Sequence, residues 1–540
     1  MEKALEMGKT SAKGSLKLLI GVAGSTVIMA AGTIVLTRLM SPAEYGLYGV
    51  TLTPALMITL FRDWGISSAL TKNIATLKAS GRTSETRTIV MTGLAFEAIV
   101  GLLLSLLSLS LASYIASEVF HRPETMLLIS IVSVTIISGS MLAVAQSVFV
   151  GFERMGLNSL TVICQAIVKS AAGPALVVIG YGVLGATLGY ALSFVGAGII
   201  GLALMYVSVF RPLKKSGENK SNKRETIKSM LKYGVPLSIY SIISGVLIQF
   251  YAFMMAAYIG DIAIGNYHAA VNFGTLLTFL TIPIGTVLFP AFAKVNTANE
   301  PELLRTVFAS STKYSTILLA PATMAMMVLS GPMVNTLFGE RYTAAPLFLS
   351  IYVISNLLAG VGGLSVGSFL TGVGETRTLM KQSLVTLFIG IPLGFLLIPA
   401  LGVTGMIVAS VIAGIPGTSW TLYWSWKHYR VRADLKSSAK ILLASSLATV
   451  TTFALLNFLA AAEWIRLTTG IAVFIVVYAV TTPITGAIVK NDIDNLRAIS
   501  SGLGAVSKAA GLALGILEKM LKLRARREKT PNQVDHLGKS

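Results

Sequence analysis

Cysteine is almost absent from these 540 residues: Cys164 is the single one, so no internal disulfide can form and cysteine usage says nothing of redox compartment. Histidine is scarce too, at four, and no His or Cys cluster has metal-ligand spacing. No nucleophile stands beside a base in a recognisable pattern, and no glycine-rich loop is placed to cradle phosphate. Charge is thin, at 12% of residues against 54% hydrophobic, and mean hydropathy reaches +0.76. That balance is too apolar for a soluble domain, and the chain is far too long for a single anchor. Long polar loops are missing between apolar runs on one side; the largest, around 117–124, has no paired aspartates, which argues against a metal-dependent glycosyltransferase. Together these gaps predict a protein that is not an enzyme, carries no cofactor and hydrolyses no ATP itself. An ion gradient, the membrane potential or consumption of substrate would have to supply the energy of any transport.

What the chain has in abundance is apolar runs long enough to cross hydrocarbon about 30 Å thick, which takes about 20 helical residues. Fourteen are read, from 16–40, 46–70 and 88–113 through 158–180, 183–210 and 265–292 to 467–489. Barrel strands would alternate at period two and these runs do not, so the expected class is an all-α polytopic membrane protein of about 14 transmembrane helices. The first run is longer than a signal-peptide core and no small-residue cleavage site follows it, so it reads as a retained span. Of the 43 Lys and Arg, 37 fall on the side of the N-terminus, two lie inside spans, and Arg38, Arg122, Arg341 and Arg466 face the other side. The net charge of +20 is therefore topological and no nucleic-acid partner is expected. A multi-pass protein of the cytoplasmic membrane follows, with both termini cytoplasmic.

The stretch from Thr37 to Lys72 organises the rest. One apolar run ends at Thr37-Arg38, the chain turns on Ser41-Pro42-Ala43-Glu44, and Tyr45-Gly46-Leu47-Tyr48 opens a second run that carries Arg62 and Asp63 inside it. Pro42 can start a helix without wasting a donor, and Gly46 permits close helix approach. Thr37-Arg38-Leu39-Met40-Ser41-Pro42-Ala43-Glu44-Tyr45-Gly46-Leu47-Tyr48, followed by Asp63-Trp64-Gly65, resembles the N-terminal hairpin of the polysaccharide and oligosaccharide flippases. Further elements are similar to that family: Gly265-Asn266-Tyr267-His268-Ala269-Ala270, Leu337-Phe338-Gly339-Glu340-Arg341-Tyr342 and Lys490-Asn491-Asp492. The chain is thereby identified as a member of the polysaccharide transporter branch of the multidrug/oligosaccharidyl-lipid/polysaccharide exporter superfamily. Gly46-Leu47-Tyr48 and Gly265-Asn266-Tyr267 also open spans at corresponding places in two halves, the mark of a parallel repeat.

The expected organisation is a six-helix half at 1–210, a basic cytoplasmic linker at 211–232, a second six-helix half at 233–426, two extra transmembrane helices at 427–489 and a basic tail at 490–540. In the tail, Ile493, Leu496, Leu503, Val506, Ala510, Leu514, Leu517 and Leu521 recur at helical spacing with Lys and Arg elsewhere. It reads either as an amphipathic helix held by anionic lipid or as a solvated basic tail.

Four ionisable residues fall within spans: Arg62, Asp63, Glu97 and Lys169. Each costs roughly 2.5–3.5 kcal/mol at a helix centre, so each is expected to face a polar interior. On the functional reading Arg62 and Lys169 contact the phosphates of an anionic substrate, with Arg38 at the outer rim of the cavity. Against it stand a Glu97–Lys169 ion pair that only fixes packing, an Asp63 that merely caps a helix, and an Arg38 that snorkels. Asp63 and Glu97 are candidates for ion coupling or for pairing inside the cavity. The resemblance implies a flippase that carries a lipid-linked oligosaccharide, on a polyprenyl phosphate or pyrophosphate, across the membrane by alternating access. Two other readings stay open: a cation-coupled multidrug exporter of the same superfamily, and a non-transporting scaffold that recruits glycan-assembly enzymes.

Overall fold

The first reversal of the chain is built by a capping box. Helices α1 (Glu2–Leu39) and α2 (Pro42–Thr59) meet at Ser41, whose side chain accepts from the Glu44 backbone N–H at 3.3 Å while Glu44 accepts from the Ser41 N–H at 2.8 Å. Pro42 occupies the first helical position, where its missing donor costs nothing. In the computed structural model, residues 2–80, 83–213, 223–295, 297, 299–501, 511, 515 and 518 are described. Residues 214–222 of the expected linker and nearly all of the expected amphipathic tail beyond 501 lie outside them.

The run expected to cross as one helix over 46–70 is broken. Helix α2 stops at Thr59; the N–H groups of Leu60, Phe61 and Arg62 bond the carbonyls three residues back, at 3.3, 3.0 and 3.1 Å, and the chain leaves helical geometry. Gly65 then adopts φ +77, and α3 (Ile66–Ala79) starts in a new direction. Arg62 and Asp63 thus sit in the break between two helices, where a left-handed glycine permits the turn.

Then follow α4 (Thr83–Tyr114), α5 (Met126–Gly151), α6 (Met155–Leu176), α7 (Gly182–Met205), α8 (Lys223–Tyr258), α9 (Asp261–Gly274) and α10 (Thr278–Ala293), then α11 (Pro301–Val328), α12 (Ser330–Leu337), α13 (Ala345–Val353) and α14 (Gly363–Gly372), and finally α15 (Thr376–Tyr429), α16 (Leu435–Phe458), α17 (Glu463–Thr485) and α18 (Lys490–Ser501). Among the described residues, eight helices are long and apolar enough to span a membrane, or ten if each of two pairs bent by 68° and 57° counts as one crossing. Two of the eight, Met155–Phe210 and Thr376–Tyr429, run to 56 and 54 residues. At 1.5 Å per residue each would reach about 80 Å, far beyond a bilayer. Both bend back at positive-φ glycines: Gly180 (+104°) and Gly182 (+49°) in the first, Gly402 (+61°) in the second. Between α6 and α7, Gly185 abuts Leu176 and Gly189 abuts Gly173, so partner numbers fall as residue numbers rise, as in an antiparallel hairpin. The expected runs at 158–180 and 183–210 are this hairpin. The run at 265–292 is instead divided by a 3₁₀ turn at Thr275–Leu277. Counted as two crossings each, the two folded-back helices raise eight or ten to ten or twelve, and the two further crossings expected fall where the runs at 46–70 and 265–292 are broken.

Two compact units emerge, one formed by Met1–Ala269 with Ser383–Ala413 and the other by Ala270–Gln382 with Gly414–Ser540. In the first, α3 turns Ile66, Leu70 and Ile74 into a fully buried cluster with Val90, Val144 and Phe149. In the second, Phe292, Phe308 and Phe369 pack ring to ring at 5.5–6.3 Å. The Leu337–Tyr342 element is a turn at Gly339 (φ +93) that inserts the fully buried Tyr342 against Phe338, 6.1 Å between ring centres.

The Lys490-Asn491-Asp492 element anchors α18. Asp492 accepts from the Val489 N–H at 2.8 Å and pairs with Lys313 of α11 at 2.7 Å, while Asn495 donates to the Tyr314 hydroxyl at 2.9 Å. Ile488 and Ile493 are buried beside Ile317 and Ile441. With the Lys313 and Asp492 side chains only 16% and 7% exposed, removing one partner leaves a buried charge uncompensated, a cost of about 3 kcal/mol. Lys313→Met is therefore expected to release α18, seen as faster hydrogen exchange across 490–501 with α16 unchanged; unchanged exchange in 490–501 would show that the apolar contacts alone hold it.

Candidate functional site

Arg62, Asp63 and Glu97 come together in the first unit. Glu97, in the middle of α4, is fully buried, and neither of its carboxylate oxygens has a partner at hydrogen-bonding geometry; Asp63, Arg62 and Ser140 of α5 are the polar groups acting on it. The Arg62 Nε is buried without a partner. Its guanidinium lies over Gly139 of α5, where a Cβ would be 2.8 Å from one terminal nitrogen. Glycine at 139 makes the room the guanidinium occupies. Asp63 serves the backbone instead, since its side chain accepts from the Ser67 N–H at 3.3 Å at the start of α3, and its carbonyl accepts from the Ser238 hydroxyl of α8 at 2.6 Å. Gly65 and Gly234 touch backbone to backbone beside it, and Lys72 lies 3.8 Å from the Tyr233 ring centre. Asp63 is not itself the N-cap of α3, which is Gly65, yet it accepts an N–H of the first turn, and α3 is docked on α8 from the break onward.

Lys169 of α6 is elsewhere in the same unit and pairs with no carboxylate. Its ammonium lies 5.2 Å from the Tyr190 ring centre, so the aromatic face of α7 takes the place of a counter-charge. Met29, Leu36, Tyr48, Lys169, Ser170 and Tyr190 border a cavity of about 20 Å³, room for one water. Tyr48 meets Tyr190 edge-on at 6.5 Å and Tyr45 at 6.1 Å, and Tyr45 meets His268 at 6.4 Å. No ion pair links Glu97 to Lys169. Arg38, in the last turn of α1, is exposed. Gln146, a candidate sugar donor by residue type, donates to Thr161 at 3.3 Å and ties α5 to α6.

The two copies of the Gly-x-Tyr repeat meet face to face. A Cβ on Gly46 would be driven into the carbonyl of Asp261, and one on Gly265 into the carbonyl of Pro42, so α2 and α9 cross reciprocally at the lowest possible separation. Arg122, in the short turn before α5, closes the same end. It pairs with Asp261 at 2.8 Å and donates to the carbonyls of Ala256 at 2.5 Å and Ile259 at 2.7 Å. Burial pushes the Asp261 carboxyl above the usual carboxylate range, and Arg122 acts in the opposite sense. In the sequence Arg122 was only a stray cation on the sparse side. Its partners on the far side, Ala256, Ile259 and Asp261, lie 134 to 139 residues away, and no local signal joins them. Tyr190 and Gly139 were missed for the same reason, whereas Ser41-x-x-Glu44 is a capping signature that residue types alone reveal.

The profile of a family described as polysaccharide biosynthesis protein matches residues 11–296, more than half of the chain. The chain belongs to that family. Over 187 residues this polysaccharide biosynthesis family member is 30% identical to the lipopolysaccharide biosynthesis protein WzxC of Escherichia coli (strain K12), covering 34% of the chain and 37% of WzxC. Over 183 residues it is 25% identical to the probable lipid II flippase MurJ of Rickettsia prowazekii (strain Madrid E), covering 32% of the chain and 36% of that protein. Each match spans little more than a third of the relative's length. Among solved structures, a lipid II flippase MurJ in an inward closed conformation aligns at TM-score 0.68 over 86% of the chain and 98% of its own, at 17% identity. An inward-facing multidrug resistance MATE family transporter of the MOP superfamily aligns at TM-score 0.59 over 77% of the chain and 98% of its own, at 16% identity. Identities this low speak for the fold alone: the chain shares the all-α fold of these two membrane transporters.

Proposed function

We propose that the protein is a flippase that moves a lipid-linked oligosaccharide, carried on a polyprenyl phosphate or pyrophosphate, from the cytoplasmic to the outer leaflet of the cytoplasmic membrane. It works by alternating access, with both termini cytoplasmic, and serves the assembly of a cell-surface polysaccharide or glycan. Membership of the polysaccharide biosynthesis family and the likeness to WzxC and MurJ support the class of substrate. The single observation that carries the site is that Arg62 and Lys169, the two cations expected within spans, are each in no ion pair with a carboxylate among the described residues. Cations that no salt bridge neutralises suit the phosphate groups of a passing substrate. Arg38, exposed at the end of α1, serves at the rim, and Asp63 shapes the break that presents Arg62. The Gly-x-Tyr repeat at the starts of α2 and α9 supports the reading of a two-half transporter, with halves at 1–210 and 233–426.

The buried, unpartnered Glu97 favours a second reading in which this carboxyl binds H⁺ or Na⁺ and couples a gradient to export. Proteoliposomes loaded with an enzyme-cleavable, isoprenoid-linked glycan separate the two. Wild-type protein is expected to expose the glycan, and Arg62→Ala and Lys169→Ala are each expected to slow this at least about tenfold, the loss of roughly 1.4 kcal/mol of binding. If both variants translocate at the wild-type rate, the phosphate assignment is wrong; if wild-type protein moves no isoprenoid-linked sugar, the exporter and scaffold readings are left standing.

A further inference from the structure

A second cationic site stands in the other unit, where α15 ends. The connection from α15 to α16 is only Arg430 to Asp434, five residues between two apolar helices, so it has no length with which to leave the membrane surface. Arg430 is left-handed (φ +56, ψ 19), uncommon for a residue with a side chain, and its N–H bonds the Trp426 carbonyl at 2.9 Å. This turn folds the chain back so that two guanidiniums share one indole: Arg430 lies 5.7 Å and Arg432 4.9 Å from the Trp426 ring centre. Both arginines are exposed, as are Lys427 and His428 beside them.

The cluster is not neutralised by a carboxylate. Among the described residues, Lys78, Arg122, Arg305, Lys313, Arg466 and Arg497 each pair with an acid, whereas Arg430 and Arg432 pair with none. The acid closest in the chain is engaged: Asp434 accepts from the Ser437 hydroxyl and N–H at 2.5 and 3.1 Å. Ser437 and its neighbours hold the Asp434 carboxyl below the usual carboxylate range, so it stays committed to capping α16. Two unpaired planar forks, flanking a tryptophan at the depth where indoles favour the headgroup layer, match a phosphate that is itself fixed at that depth.

We propose that Trp426, Arg430 and Arg432 bind the phosphate of an anionic phospholipid in the leaflet on the basic, cytoplasmic side. The bidentate arginines grip the phosphate oxygens, and the indole packs on the glycerol region. The site is independent of Arg62 and Lys169 and requires nothing of the translocation reading.

The test uses full-length protein in which Trp64, Trp420, Trp424 and Trp464 are phenylalanine, so that Trp426 alone reports. Reconstituted in phosphatidylcholine with a minority of brominated phosphatidylglycerol, its fluorescence is expected to be quenched at least about twofold more than with the same amount of brominated phosphatidylcholine, as local enrichment by two basic residues predicts. Arg430→Gln/Arg432→Gln is expected to abolish that preference. Arg430→Lys/Arg432→Lys, which keeps the charge and guards against misfolding of the glutamine variant, is expected to retain a reduced one. Equal quenching by the two lipids in the protein that keeps Trp426 alone overturns the proposal, as does a preference that survives the glutamine pair. Relief of quenching by millimolar inorganic phosphate or pyrophosphate would overturn the lipid assignment in favour of a soluble ligand.

Discussion

Alanine at Gly46 or Gly265 is expected to cost the protein much of its folded yield. At each position the new Cβ meets a backbone carbonyl of the opposing helix, of Asp261 or of Pro42, and not the yielding end of a side chain. Neither helix can retract without disturbing what ties it. Ser41 and Glu44 hold the start of α2, and the three Arg122 contacts hold the start of α9. Overpacking in a close-fitted interior costs about 1–3 kcal/mol, and a clash between two backbones belongs at or above the upper end. Opposing this, glycine to alanine inside a helix gains about 1 kcal/mol. Gly24 separates the two contributions, since a Cβ there meets nothing within 4 Å. Thermal melting in detergent should therefore rise or hold for Gly24→Ala and fall by several degrees for Gly46→Ala and Gly265→Ala. A Gly46→Ala protein that melts with Gly24→Ala would show that α2 and α9 are free to part without loss.

Removing Arg62 is expected to damage stability as well as transport, and removing a second group should repair only the first. Glu97 and Asp63 are the acidic neighbours of that guanidinium, and Glu97 is fully buried with no hydrogen-bond donor at proper geometry. Arg62→Ala leaves that buried carboxyl without the positive charge that acts on it, so the melting temperature should fall. Arg62→Ala/Glu97→Gln carries no such charge and should recover stability to within about 1 kcal/mol of the parent, while glycan translocation stays lost because the phosphate contact is gone. The measurements are melting temperature and flipping rate for the parent, both single variants and the double. Coupling between the two sites is the decisive quantity, and strictly additive melting shifts would show that Arg62 and Glu97 do not feel each other.

The apolar runs told where helices form because in hydrocarbon every peptide group must bond within its own segment, so composition leaves little choice of secondary structure. They did not tell where helices bend. The interruption after Thr59 was hidden inside a run of adequate length, and the only clue was Asp63-Trp64-Gly65, whose glycine permits the left-handed turn. Motifs that resemble functional signatures are partly architectural: Ser41 and Glu44 cap a helix, Asp492 fastens α18, and Tyr342 fills a core. The four ionisable residues were found by their cost alone, yet their partners were not legible. Lys169 was offered Glu97 as a counter-ion and rests instead on Tyr190, because an aromatic face can balance a cation without appearing in any tally of charges. Arg122 shows the same limit, since its contacts join parts of the chain that no window of sequence spans.

The discontinuity between α2 and α3 has a geometric meaning of its own. In an unbroken helix, successive side chains point about 100° apart around the axis, so a guanidinium and the carboxylate after it are bound to face different neighbours at nearly the same height. Unwinding Leu60 to Gly65 frees the chain from that rule: Asp63 folds back onto the helix it begins while Arg62 reaches across to Gly139. Peptide groups left open in this way cannot face acyl chains, so this part of the wall must be sheltered by neighbouring helices or wetted, and bilayer thickness or fluidity should hardly register there.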